Sequence, residues 1–138
     1  MPPLVGVSVA PTHYTHQLLA RARRFTLNWL GVERAEALAF MGSAPGRHVP
    51  NKVEAAGLSV ARYDGIVGIK EAEAVLTCRW QRRYRTGDHE LVVSRVERGF
   101  ATRDFQEYWQ FRTYRPALYV GGGEAVRGPN WFRTVRER

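Results

Sequence analysis

A single cysteine, Cys78, excludes an internal disulfide and any cysteine-rich zinc site in this chain. It falls in an alternating strand pattern, where a small thiol serves packing rather than reactivity. Long hydrophobic runs are also missing: no apolar stretch approaches about 18 residues, and the N-terminus has neither the basic lead nor the apolar core of a signal peptide. The expectation is a soluble, cytoplasmic protein without a membrane partner. Lysine is nearly absent, since of 21 basic residues only Lys52 and Lys70 are lysine. The net charge of +8 is therefore an arginine excess, scattered from Arg21 to Arg138. Its only clusters are Arg23-Arg24 and Arg82-Arg83-Arg85, which is not the continuous basic stripe of a nucleic-acid binder. With 138 residues, 44% hydrophobic and 25% charged, the chain has the composition of one globular domain with a real core.

What is present is most informative at the start, in PPLVGVSVAPTHYTHQL. Val5, Val7 and Val9 share one face of a strand, and Gly6, Ser8 and Ala10 share the other. The second face is nearly bare, so a flat ligand can approach the backbone. Pro11 stops the strand because it cannot donate to a ladder. Thr12 and Thr15 are alternative caps for a helix starting near His16, where unpaired N–H groups and the helix dipole favour a phosphate. The same residues also suit an ordinary strand, turn and capped helix.

Further along, Gln17 to Arg24 carries Leu18, Leu19 and Ala22 at helical spacing. Phe25, Leu27 and Trp29 alternate with Thr26 and Asn28 as a second strand, with Asn28 its polar exception. Glu33 to Met41 reads as a helix that Gly42 ends, and Gly42 to Asn51, with two glycines and two prolines, as a loop. A turn at Asp64-Gly65 leads into further strand. Glu73 to Trp80 and Leu91 to Val96 flank Thr86-Gly87-Asp88-His89 and predict an antiparallel hairpin. Residues 100–114 read as an irregular connection, and Ala117 to Val120 as a short strand before a tail that holds Trp131 and Phe132. Strands outnumber the short helices, which points to a small antiparallel barrel with peripheral helices.

Six pieces, PPLVGVSVAP, THYTHQLL, FTLNWL, GSAPGRHVPNK, GDHELVV and PALYVGGG, resemble in order and spacing the flavin reductase-like family of FMN-binding split barrels. The resemblance implies a mainly β, antiparallel split barrel over residues 1–123, a C-terminal tail over 124–138, and a homodimer. It implies an oxidoreductase that binds FMN, with FAD as the alternative flavin. Such a protein moves a hydride from NADH or NADPH to flavin for a downstream acceptor, a monooxygenase or ferric iron. Carried over position by position, Ser8, Ala10 and Pro11 match the strand end and turn beside the flavin, with Thr15 and His16 at the helix start. Asn28 matches the polar position of the next strand, and Arg47 and Lys52 the basic positions of the Gly-Arg...Lys loop. Gly87, Asp88 and His89 match the Gly-Asp-His motif on the nicotinamide side, with His89 as the catalytic candidate.

Physical chemistry suits these roles. A dianionic phosphate fits Arg47, Lys52 and a helix N-terminus, while the cofactor carries the redox chemistry and the protein supplies position and field. His89 is suited to orient the nicotinamide or protonate reduced flavin, with Asp88 setting its tautomer if the fold joins them. Two departures stand out. Members carry one or two strands, with a Thr-Ala-Ser-like segment that touches the isoalloxazine ring, before the position of Pro3; members also have an acidic residue where this chain has Asn51. The competing readings are a non-catalytic flavin- or ligand-binding split barrel, and a basic barrel that stacks nucleic acid on Trp80, Tyr84, Tyr108 and Trp109.

Overall fold

The computed structural model of the chain describes residues 2–102 throughout, and two further strands at 117–119 and 132–134 as backbone. Two bodies result, one of residues 1–27, 61–68 and 75–100, the other of 28–60, 69–74 and 101–138. The class is mainly β, mostly antiparallel, with a few short helices.

The first body is built on β1 (Leu4–Val9), α1 (Tyr14–Ala22), β2 (Arg24–Trp29), β5 (Ala74–Thr86) and β6 (His89–Ala101), with the strands in the order β1-β6-β5-β2. β1 runs antiparallel to β6, with Val7 opposite Val92, Ser8 opposite Leu91 and Val9 opposite Glu90. As the alternation predicts, Val5, Val7 and Val9 turn inward, while Leu4, Gly6 and Ser8 are exposed. β5 and β6 meet at Gly87-Asp88, where Gly87 takes φ of 67° at the first central position, as a type II′ hairpin turn requires. β2 is antiparallel to β5: the Trp80 N–H donates to the Arg23 carbonyl at 2.9 Å, and the Glu73 N–H to the Trp29 carbonyl at 2.8 Å. Val75, Thr77, Cys78, Val92 and Ser94 form the sealed centre of this body. The hydroxyls of Thr77 and Ser94 have no hydrogen-bond partner there.

Burial pushes the Cys78 thiol up to about 11, and the nearby Glu97 charge adds to the rise. The thiol is therefore neutral at physiological pH. Iodoacetamide at pH 8 is expected to leave Cys78 unmodified in the folded protein and to alkylate it fully in denaturant, which intact mass spectrometry reads directly.

α1 differs from its sequence reading in two ways. It begins at Tyr14, with His13 as the N-cap residue in place of Thr12 or Thr15, and without a side-chain cap hydrogen bond. Only Leu19 of the predicted apolar stripe is buried; Leu18 and Ala22 are exposed, and the half-buried residues include His16 and Gln17. The helix is seated by a polar contact described below. It ends at Arg23 in the left-handed region, whose N–H bonds the Leu19 carbonyl at 3.1 Å, so Arg24 already belongs to β2.

The second body contains a short 3-10 turn (Val32–Arg34), α2 (Ala35–Ser43) and α3 (Lys52–Ala55) around Leu30, Leu58 and Ile69, with Ala37, Leu38, Val53, Ala56 and Ala72 packed on them. α2 runs through Gly42 rather than stopping there, and the Ala44 N–H closes its last turn on the Phe40 carbonyl at 2.9 Å. β3 (Val60–Tyr63) and β4 (Ile66–Ile69), whose residues 61–68 belong to the first body, form the hairpin expected at Asp64-Gly65. Both turn residues have positive φ, 50° and 79°, the signature of a type I′ turn. β7 (Ala117–Tyr119) lies where a short strand is predicted. It pairs antiparallel with β8 (Phe132–Thr134), which falls in the segment read as a tail. The stretch 103–116 of the predicted irregular connection lies outside the described residues, and Phe100 and Ala101 complete β6.

Candidate functional site

In the first body the site grows from the end of β1. After Val9 the chain turns through Ala10 and Pro11, with the His13 N–H on the Ala10 carbonyl at 2.9 Å and the His16 N–H on the His13 carbonyl at 3.0 Å. α1 follows with His13 at its N-cap position and no side-chain cap hydrogen bond there. Ser8, Pro11 and Thr15 are exposed, and Ala10 is half-buried.

His16 turns back onto the sheet. Its Nε2 lies 2.6 Å from Oε2 of Glu90, and Nη1 of Arg83 donates to the same oxygen at 3.4 Å. The hydrogen bond from His16 holds the Glu90 carboxyl below the usual carboxylate range, with the Arg83 charge adding to it and desolvation opposing. Sequence reasoning missed Glu90. The available signal was its place on the same face of β6 as Val92 and Ser94, in an inward row where a carboxylate needs partners.

One residue earlier stands the hairpin motif. His89 Nδ1 lies 2.8 Å from Oδ1 of Asp88, so the fold does join them. An ionised carboxylate only accepts, which places the hydrogen on Nδ1 and leaves Nε2 of the neutral ring as an acceptor. The bond from His89 holds the Asp88 carboxyl below its usual range. The structure thus gathers Ser8, Ala10, Pro11 and His16 at one end of β1 and, through Glu90, beside Gly87, Asp88 and His89.

Asn28, in the part of β2 beyond Leu27, lies with Arg47 and Lys52 in the second body. Asn28 Oδ1 accepts the N–H of Ile69 at 2.9 Å, which satisfies a buried backbone donor. Arg47 is exposed in the loop between α2 and α3. Lys52 Nζ donates to the carbonyls of Met41 and Ala44 at 2.6 and 2.5 Å, binding the C-terminal end of α2, where a cation also complements the dipole. Two of its three donors are so engaged. Asn51 precedes it with φ 49° and ψ 47°, a left-handed conformation that Asn tolerates where an acidic residue stands in the family pattern. Residues 51–54 and 58–60 line an open cleft of about 570 Å³ beside Lys52.

Of the aromatic residues considered as stacking platforms, Tyr84 is exposed, Trp80 is half-buried with the Arg23 guanidinium 5.9 Å from its ring centre, and Tyr108 and Trp109 lie outside the described residues. Among the described residues no helix is long and apolar enough to cross a membrane, and no group of three His, Cys, Asp or Glu is placed to hold a metal ion.

Four carboxylates with depressed pKa values make the fold acid-sensitive. Glu97 accepts from Arg79 at 2.5 Å and from Arg24 at 2.8 Å, and the Arg79 bond is the larger cause of its lowering. Glu71 is lowered chiefly by the Ser59 backbone N–H, alongside Asp88 and Glu90. A carboxyl lowered in the folded state contributes stability that is complete above its unfolded pKa, about 4.3 for Glu, and is lost as pH falls through the folded value. The melting temperature is expected to hold from neutral pH down to roughly pH 5 and then drop. Glu97→Gln should flatten part of that drop in a melting series across pH.

Comparison with known proteins places the fold among flavin-reductase barrels. A flavoredoxin from Methanosarcina acetivorans superposes with a TM-score of 0.77 at 18% identity, covering 99% of this chain and 71% of that one. The chain belongs to the flavin reductase like domain family, whose model matches residues 1–120. A solved FMN-binding protein from Thermus thermophilus, with p-hydroxybenzaldehyde bound, is 29% identical with a TM-score of 0.68, covering 77% of this chain and 59% of that one. An NADH:riboflavin 5′-phosphate oxidoreductase of Streptomyces pristinaespiralis is 35% identical over 94 residues, 67% of this chain and 50% of the relative. The chain spans about half the length of the curated relatives it matches.

Proposed function

We propose that this protein binds FMN against the bare outward face of β1 and the uncapped start of α1, and acts as an NAD(P)H:flavin oxidoreductase. The observation that supports it most is the coincidence of three features at one end of β1: the exposed Gly6-Ser8 row, the uncapped nine-residue helix, and the Gly87-Asp88-His89 hairpin. The residues fit the group, since a flat ring needs an exposed face of small side chains and the positive end of the α1 dipole favours a phosphate. When bound, the flavin supplies the redox chemistry, accepting a hydride from the nicotinamide and passing electrons onward. The chain's part is positional. Ser8, Ala10 and Pro11 give the ring a close backbone approach, and Thr15 and the α1 N-terminus hold the phosphate. His89, its Nδ1 fixed by Asp88, offers Nε2 to the nicotinamide or to the proton that reduced flavin gains. A homodimer is the assembly, and a monooxygenase or ferric iron the electron acceptor.

Loading with FMN tests this reading. Purified protein mixed with FMN and desalted should stay yellow, and added FMN should start steady loss of NADH or NADPH absorbance. A colourless sample that cannot be loaded sinks the proposal. A yellow one that oxidises neither nucleotide favours the non-catalytic flavin-binding reading.

A further inference from the structure

Glu90 sits where the two halves of the candidate site meet. It is opposite Val9, the last residue of β1, and directly follows His89 of the hairpin motif. Its side chain reaches the third residue of α1, His16, at 2.6 Å, although 74 positions separate them in sequence. Both side chains are largely buried, at 12% and 19% exposure. A carboxylate in the inward row of β6 is costly unless paired, and His16 with Arg83 supplies that pairing.

We infer that Glu90 is a positioning residue, setting the start of α1 against the nicotinamide-side hairpin by clasping His16. The clasp adds to the buried Leu19 in seating α1, since Leu18 and Ala22 face solvent. It also fixes the imidazole. Glu90 only accepts, so the hydrogen of the neutral ring is on Nε2, and Nδ1 is the acceptor left for a ligand. His16 thus suits a donor on the ligand, such as a sugar-alcohol hydroxyl, rather than the phosphate itself. This assignment rests on the proposed flavin site, but the tautomer does not.

Two measurements keep the two ideas apart. In flavin-free protein at alkaline pH, where imidazole is neutral, nitrogen NMR of His16 is expected to show hydrogen on Nε2. Glu90→Ala should lower the share of that tautomer to the mixture of an unbonded histidine side chain, in which hydrogen on Nδ1 becomes detectable. Hydrogen on Nδ1 in the unaltered protein overturns the clasp, whether or not flavin binds. In FMN-loaded protein, Glu90→Ala is expected to raise both the Kd for FMN and the KM for the nicotinamide nucleotide about tenfold, with kcat at saturation kept within about twofold. Glu90→Gln, which keeps an accepting oxygen, should recover most of both losses. His16→Ala reads the coupling from the other partner and should add nothing further when combined with Glu90→Ala. Unchanged Kd and KM in Glu90→Ala, a fall in kcat alone, or additive losses in the double variant each overturn the inference. If the unaltered protein binds no FMN, the proposed function fails and the NMR result alone decides the clasp.

Discussion

Replacing Ser8 with tryptophan is expected to weaken FMN binding by about 100-fold, close to 2.8 kcal/mol, while the urea midpoint scarcely moves. Ser8 lies on the exposed row of β1, opposite Leu91 of β6. An indole there projects from the sheet into the space assigned to the isoalloxazine ring. Aromatic residues are favoured in strands, and a surface substitution outside a packed or capped position shifts stability by no more than about 0.5 kcal/mol. The two readouts therefore separate cleanly. Isothermal titration with FMN gives the first and urea unfolding gives the second. Binding that survives Ser8→Trp would mean that the ring lies elsewhere, whatever the family resemblance. Gly6 is a less suitable probe, because a Cβ at that position meets Leu91 at 3.1 Å and confounds ligand exclusion with strain.

The elements that sequence revealed best are those whose pattern is local. The period of two in LVGVSV gives the inward valine row and the bare outward row without knowledge of the partner strand. Asp64-Gly65 and Gly87-Asp88 are turn signals whose backbone demands are met within four residues, and both are hairpins. What stayed hidden depends on groups distant in sequence. Lys52 reads as a loop cation suited to phosphate, yet its ammonium binds Met41 and Ala44 carbonyls, and nothing in composition marks which backbone end a lysine will meet. Leu18, Leu19 and Ala22 stand at helical spacing, yet a single buried leucine and the contact of His16 with Glu90 seat the helix. Asn28, the polar exception of β2, serves the backbone of Ile69, 41 positions away. In each case a polar side chain satisfies a partner outside its own helix or strand, and periodicity carries no information about that.

Val92→Asp tests the buried row itself and is expected to unfold the protein. Val92 is 0% exposed and pairs with Val7 in the β1–β6 register. Its row holds Ser94, whose hydroxyl already has no partner, and Glu90, which engages His16 and Arg83. A second carboxylate on the same row stands about 7 Å from Glu90, two residues along the strand. At a position sealed from solvent, that carboxylate loses its hydration. The cost of an unpaired buried charge, roughly 4 kcal/mol or more, is comparable to the whole stability of a small domain. Circular dichroism of Val92→Asp should show no cooperative melt, whereas Val60→Asp, at a position 60% exposed, should melt like the unaltered chain. A folded Val92→Asp protein would instead mean that the outward and inward rows of β6 are exchanged. Because the register ties the strands together, that exchange would bury Ser8 and turn the valines of β1 to solvent, removing the bare face on which the flavin assignment stands.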